Sequence, residues 1–123
     1  MFLLSLLLTL LATPPIALDV TPRWVHDNFL GKRAEVKYTI QIEKLGGILC
    51  TGWMYPIVGM SPYDYPQRKS CRANEWHRVE EQWGGAKYPF PYQGRYMAFA
   101  EVADGDSIKS ITVDFTLLKD EDN

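Results

Sequence analysis

A strict alternation of apolar and polar side chains runs through residues 34–43 and again through residues 111–117. Successive side chains of a β-strand point to opposite faces, so each segment would bury one face and expose the other. The apolar members are Val36, Tyr38, Ile40 and Ile42 in the first segment and Ile111, Val113, Phe115 and Leu117 in the second. This pattern predicts two half-buried strands in antiparallel sheets around one core.

The remaining segments add further strand patterns. Residues 96–102 are apolar at nearly every position, which is typical of a strand buried on both faces. Residues 76–83 carry apolar side chains at i, i+3 and i+7, so two helical turns are an alternative to an irregular strand there. The predicted fold is mainly β, a compact antiparallel β-sandwich or barrel with at most one short helix among residues 72–83. The predicted strands lie near residues 22–29, 34–43, 47–51, 76–83, 95–103 and 108–118.

The first seventeen residues predict a secretory signal peptide. The apolar run over residues 2–11 is too short for a membrane-spanning helix, which needs about 20 residues, and the small residue Ala17 precedes the first charge. We therefore predict a signal peptide over residues 1–17 and a single secreted, extracellular β domain over residues 18–123, with Leu18 as the first mature residue.

The charge balance argues against two classes of partner. The chain has 13 basic and 15 acidic side chains, and they are interspersed. Such a chain has no strongly basic surface to attract nucleic acid or an anionic membrane. Neither is therefore expected as a partner. The dibasic pair Lys32-Arg33 suits a processing protease of the secretory pathway. We expect no cut there in the folded protein, because losing residues 18–33 would leave the sheet with an open edge.

The chain has two cysteines, Cys50 and Cys71. A secreted chain folds in an oxidising compartment, so we predict one disulfide between them, which would contribute about 3 kcal/mol in the chain-entropy model. A structural zinc site needs four ligands, and His26 and His77 are the only histidines. No metal or other cofactor is expected.

The segment between the cysteines is rich in proline, glycine and aromatic residues, which predicts a disulfide-closed aromatic loop over residues 50–71. Long loops in compact domains are uncommon and often functional, and aromatic side chains are common in binding surfaces. Packing in a core that is short of aliphatic residues is the alternative role, and the residue types leave both roles open. The candidate binding residues are Trp53, Tyr55, Tyr63 and Tyr65.

No combination of residues predicts catalysis. His26 and Asp27 are adjacent on a predicted strand, so they point to opposite faces and Asp27 is badly placed to orient His26 as a base. His77 and Glu81 would share a face on a helix, where a surface charge pair is the simpler interpretation. No serine has the setting of a nucleophile. We expect no catalytic residues.

The order of these elements resembles a family of small secreted fungal proteins. The residues that carry the likeness are Trp24, Val25, Asn28 and Phe29, the alternating strand 36–42, Cys50, Cys71, Trp76 and the final strand 111–117. This plan is similar to the Alternaria major-allergen-like group. The resemblance implies an antiparallel β fold, secretion by a fungus and a role in virulence as allergen, elicitor or effector towards a host, without enzymatic residues. The chain departs from that group in having one disulfide where the group commonly has more.

A shorter segment is similar to the central part of fungal guanyl-specific ribonucleases. It consists of Lys87-Tyr88-Pro89-Phe90-Pro91-Tyr92 followed by Tyr96, Phe99, Ala100 and Glu101. The resemblance places Glu101 at the catalytic base, but Phe90 stands where that family has its first histidine, and no histidine follows near the C terminus. Because the chain lacks groups that activate the ribose hydroxyl and protonate the leaving oxygen, the resemblance implies a non-catalytic relative.

Three classes of function are compatible with these residues. The first is a secreted, non-catalytic effector or elicitor that binds a host protein or another extracellular partner. The second is a ribonuclease-like secreted protein without catalytic activity. The third is a protein that binds a cell-wall polysaccharide through aromatic side chains. The sequence does not separate the first class from the third.

Overall fold

The computed structural model describes residues 16–27, 31–85 and 89–118, and within these ranges the chain is mainly β. One short 3-10 turn, Pro62–Asp64, is the single helical element of the described residues. The strands are β1 (Ile16–Asp27), β2 (Gly31–Ile42), β3 (Ile48–Met54), β4 (Gln67–Ala73), β5 (Arg78–Gly84), β6 (Gly94–Asp104) and β7 (Ser107–Leu117).

These strands form two antiparallel sheets that pack on one another. The first sheet has the order β1-β2-β5, and the second has the order β4-β3-β6-β7. β1 of the first sheet lies next to β7 of the second, so β4 and β5 are the edge strands on the opposite side. The predicted mainly β fold is confirmed, and of its two forms the structure shows the sandwich.

The alternation predicted for β2 and β7 places their apolar side chains between the sheets. Val36, Ile40 and Tyr96 are completely buried there. Full burial of an aliphatic side chain is worth about 1.5–3 kcal/mol, so this layer is the main source of stability. The first sheet contributes Ile16, Leu18, Ala34, Val36, Tyr38, Ile40, Ile42, Val79 and Trp83, and the second contributes Leu49, Trp53, Tyr96, Ala98, Ala100, Val102, Phe115 and Leu117.

The predicted disulfide between Cys50 and Cys71 is present. The two residues are directly opposite in the β3–β4 ladder, and their Cα atoms are 4.1 Å apart. The bond therefore links an edge strand, β4, covalently to its neighbour β3 in the sheet.

The main difference from the predicted elements lies between the cysteines. β3 continues to Met54 and β4 begins at Gln67, so the irregular connection covers residues 55–66 and not the whole predicted loop. β4 has no counterpart among the predicted strands, because its residues are polar on both faces. No helix forms among residues 72–83, where an irregular connection leads into β5.

The first strand also differs from its prediction. β1 begins at Ile16, ahead of the predicted start near residue 22, and Ile16 pairs with Ile42 in the core. Residues 1–15 of the predicted signal peptide lie outside the described residues, so cleavage after Ala17 stays a prediction. In the part of the chain that the structure describes, no helix has the length and apolar character to cross a membrane.

Candidate functional site

The β3–β4 loop (residues 55–66) is held firmly at its base. The Tyr55 backbone amide donates a 2.8 Å hydrogen bond to the Pro66 carbonyl, and the Tyr55 hydroxyl donates one of 3.2 Å to the Gln93 carbonyl. The Tyr55 ring stacks on Tyr92, with ring centroids 5.1 Å apart. The base of the loop is thereby joined to the segment that precedes β6.

The tip of this loop has two ordered turns. The Met60 amide donates a 3.2 Å hydrogen bond to the Ile57 carbonyl around Gly59, whose φ of +89° favours glycine. Ser61 then caps the 3-10 turn, because its hydroxyl oxygen accepts a hydrogen bond from the Tyr63 amide. These turns fix the backbone from which the loop side chains project.

The four aromatic candidates of the sequence occupy different environments. Trp53 lies in β3 and is only 6% exposed, and it packs edge-on against Tyr96 in the core. The prediction that Trp53 lies in a surface loop is therefore wrong, because β3 continues through this position. Tyr55 and Tyr65 are half-buried, whereas Tyr63 is 92% exposed. Of the four, Tyr63 alone offers most of its ring to a partner.

A second surface is the side of the four-stranded sheet that points away from the core. We call it the outer face. Every outward side chain of β3 on this face is nonpolar, and the central part of β6 adds two large apolar side chains. The outer face consists of Ile48, Cys50, Gly52 and Met54 of β3, Arg95, Met97, Phe99, Glu101 and Ala103 of β6, Gln67, Lys69, Cys71 and Ala73 of β4, and Ile108, Ser110, Thr112, Asp114 and Thr116 of β7.

The corresponding surface of the three-stranded sheet is polar. Apart from the small Ala17, its outward positions include Asp19, Thr21 and Arg23 of β1, Glu35, Lys37, Thr39 and Gln41 of β2, and Arg78, Glu80 and Gln82 of β5. This is the usual alternation for a sheet with one side in water. The outer face departs from that rule, since Ile48 is 47% exposed and Ile108 is 69% exposed.

The centre of the outer face depends on a glycine. A Cβ atom added at Gly52 would lie 1.9 Å from the Arg68 carbonyl oxygen and 2.7 Å from Phe99 Cζ. The Phe99 ring therefore occupies the space that a side chain at position 52 would fill. This packing holds Phe99 half-buried in the middle of the sheet surface.

The charged groups of the outer face are paired with one another. Lys69 Nζ lies 3.1 Å from Glu101 Oε1, and an Arg95 guanidinium nitrogen lies 2.6 Å from Asp114 Oδ2. These are partly exposed pairs, which contribute little to stability. They do leave the outer face with an apolar centre, a polar rim and no net charge.

His77 and Glu81, which would share a face on a helix, contact different groups in the structure. His77 Nδ1 lies 3.2 Å from the Ile42 carbonyl oxygen. Glu81 accepts a 2.6 Å hydrogen bond from the Tyr38 hydroxyl and forms an ion pair with Arg72. The surface pair expected between His77 and Glu81 on a helix is absent, because residue 81 belongs to a strand.

The ribonuclease-like positions are also separated. Glu101 points to the outer face, where it pairs with Lys69. Phe90 packs on the other side of the sheet, against Trp53 and Tyr96, with ring centroids 4.9 and 5.3 Å away. Glu101 and Phe90 therefore lie on opposite sides of the sheet, whereas the ribonuclease resemblance implies two groups that act together.

Two further expectations concern histidine and metal. His26 and Asp27 belong to the end of β1, and their side chains lie outside the described residues. Among the side chains that the structure describes, no group of three or more His, Cys, Asp or Glu residues is placed to hold a metal ion.

No family model, curated protein or solved structure matches this chain. The assignment of a site therefore rests on its own residues. The sequence pointed to the β3–β4 loop and missed the outer face. The signal that could have found it is the nearly continuous apolar run at residues 96–102, because its outward residues Met97 and Phe99 are not covered by another described element.

Proposed function

We propose that this protein is a secreted, non-catalytic effector or elicitor of fungal type that binds a host or extracellular protein through its outer face. The resemblance to small secreted fungal proteins supports the class of function. The exposed apolar centre of the outer face supports the choice of surface.

The observation that carries this assignment is the nonpolar outward side of β3. Its four outward residues contain no charged or hydrogen-bonding side chain, although they face away from the core. Contiguous apolar patches on monomeric soluble proteins are small, and a larger one with a polar rim is typical of an interaction site. The two neighbouring methionines, Met54 and Met97, add flexible side chains that adapt to a partner surface.

The electrostatics of the outer face indicate the kind of contact. Since its charges are paired within the face, a partner gains little from carrying a net charge of either sign. Association then depends on burying apolar area around Phe99 and Ile48. We expect the affinity to change little when the salt concentration rises from about 0.05 to about 0.5 M, because screening acts mainly on unpaired surface charges.

Binding of a cell-wall polysaccharide is a second candidate, favoured by exposed aromatic rings. Tyr63 is 92% exposed at the loop tip and Trp76 is 63% exposed between β4 and β5. Aromatic rings of this kind present a flat apolar surface with a polar edge, which suits a sugar ring. This function would use the loop side chain and not the outer face.

Affinity capture with matched variants distinguishes these functions. We would immobilise the protein and expose it to host extract and to cell-wall polysaccharides. The variant Ile48→Gln/Ile108→Gln should lose the retained protein, while the control Thr21→Gln/Lys37→Gln, on the polar side of the other sheet, should retain it. Unchanged retention by Ile48→Gln/Ile108→Gln would reject the outer face. Loss of a retained polysaccharide in Tyr63→Ser would instead support the carbohydrate function.

A further inference from the structure

A cleft of about 800 Å³ opens at the end of the sandwich where β2 ends and the β6–β7 hairpin turns. Its apolar lining comes from both sheets: Ile16 and Ile42 belong to the first sheet, and Val102 belongs to the second. All three side chains are more than nine-tenths buried. The volume lies within the range of sites that hold small organic ligands, about 300–1,000 Å³.

One wall of this cleft is fixed by a buried asparagine. The Asn74 side-chain amide donates hydrogen bonds of 3.2 Å to the carbonyl oxygens of both Lys44 and Gly46, and the Asn74 backbone amide donates one of 3.0 Å to the Gly47 carbonyl. The connection between β2 and β3 therefore has a defined backbone. A ligand would contact a wall that is already ordered, so little conformational entropy of the protein is lost on binding.

The cleft also contains a lysine at a position that faces the core side of the second sheet. Lys109 is directly opposite Val102 in the β6–β7 ladder, so its side chain leaves the sheet on the same side. Lys44, at the rim, lies 3.8 Å from Asp104. Lys109 has no ion pair with any described residue, and it stands beside the apolar lining.

The geometry points to a binding site for a small amphiphile whose aliphatic chain lies along the exposed edges of Ile42 and Val102 and whose carboxylate pairs with Lys109. Two carboxylates border the same cleft, Glu43 and Asp104. The Asp104 carboxylate, on the same side of the β6–β7 ladder as Lys109, is paired with Lys44, whereas Glu43 disfavours a negative group on its own side, so the head group lies at the β7 wall beside Lys109. The lining from β2 and β6 and the cation from β7 are present whether the mature chain starts at Ile16 or at Leu18. The site is separate from the outer face and does not depend on its function.

Calorimetric titration of the purified protein with octanoate, 1-octanol and octylammonium tests this site. Octanoate should bind more tightly than the other two, which share its chain and differ in the head group. Lys109→Gln should weaken octanoate about tenfold, the usual value of one charge-assisted contact, and leave 1-octanol unchanged. The control Lys37→Gln, on the polar side of the other sheet, should change neither.

Val102→Thr should weaken octanoate and 1-octanol together, because it places a hydroxyl in the apolar lining. The proposal is overturned if octanoate shows no binding at millimolar concentration. It is also overturned if octylammonium binds as tightly as octanoate, or if Lys109→Gln binds octanoate as well as the unaltered protein does.

Discussion

The Tyr38 hydroxyl donates a 2.6 Å hydrogen bond to Glu81 Oε2 between directly opposite positions of β2 and β5. Glu81 also forms an ion pair with Arg72 of β4, so one carboxylate connects the edge strands of the two sheets. The Tyr38 ring stacks on Trp83 with ring centroids 4.0 Å apart. On the side of the sandwich opposite β1 and β7, this polar contact therefore joins the two sheets, and it begins at the buried Tyr38.

This contact predicts a loss of stability in alkaline solution. Burial, together with the hydrogen bond to Glu81, raises the pKa of Tyr38 from 10.0 to about 12. The unfolded chain releases this proton at the lower pH, so the contribution to the unfolding free energy is complete below pH 10 and is lost as the pH rises through about 12.

Urea unfolding at about pH 9 and about pH 11 measures this effect. The unaltered protein should lose more unfolding free energy between these two conditions than Tyr38→Phe does. Tyr63→Phe is the matched control, since its exposed ring should leave the pH dependence as it was. Equal losses in Tyr38→Phe and the unaltered protein would contradict the role of this hydroxyl.

A second prediction compares two glycines. Gly52→Ala should destabilise the protein by about 1–3 kcal/mol, because its Cβ would collide with the Arg68 carbonyl and the Phe99 ring. Gly59→Ala should cost about 1 kcal/mol, since its φ of +89° is unfavourable for alanine but no atom lies within 4 Å of the added Cβ. Denaturant midpoints of the two variants give the comparison. A smaller loss for Gly52→Ala than for Gly59→Ala would show that Phe99 does not pack on Gly52.

A third prediction concerns the start of the mature chain. Ile16 is 3% exposed and pairs with Ile42, so a chain that begins at Leu18 should be less stable than one that begins at Ile16 by about 2 kcal/mol. Ile16→Ala in the longer chain should reproduce most of this loss, because it removes the side chain and keeps the backbone. Equal urea midpoints for the two chain lengths would mean that this residue does not contribute to the core. N-terminal sequencing of secreted protein then shows which form is released.

The sequence predicts the strands that have one apolar and one polar side. β2 shows this alternation from Val36 to Ile42, and all four apolar side chains lie in the core. β4 is the counterexample, because Gln67, Arg68 and Lys69 form an edge strand without an apolar face. Its pairing depends on the hydrogen bonds to β3 and on the disulfide. These contacts join segments that are distant in the sequence, so no local pattern in the sequence predicts them.

The candidate site was harder to predict for a related reason. In β3, the inward Trp53 and the outward Met54 are both large and apolar, so the local pattern does not show which side meets the core. Proline and glycine nearby favoured a loop, whereas the pairing of Trp53 with Ala98 placed it in the sheet. The two apolar sides of β6 were visible in the sequence, but only the structure shows that one of them is left uncovered.

The most direct test of the outer face uses the methionines as reporters. Met54 and Met97 lie on the outer face, whereas Met60 lies at the tip of the β3–β4 loop. We would bind the partner retained by affinity capture, treat the complex and the free protein with dilute peroxide, and measure oxidation of each methionine by mass spectrometry. A partner that covers the outer face should slow oxidation of Met54 and Met97 more than that of Met60. Oxidation of Met54 and Met97 at the same rate in the complex and the free protein would show that the partner binds elsewhere.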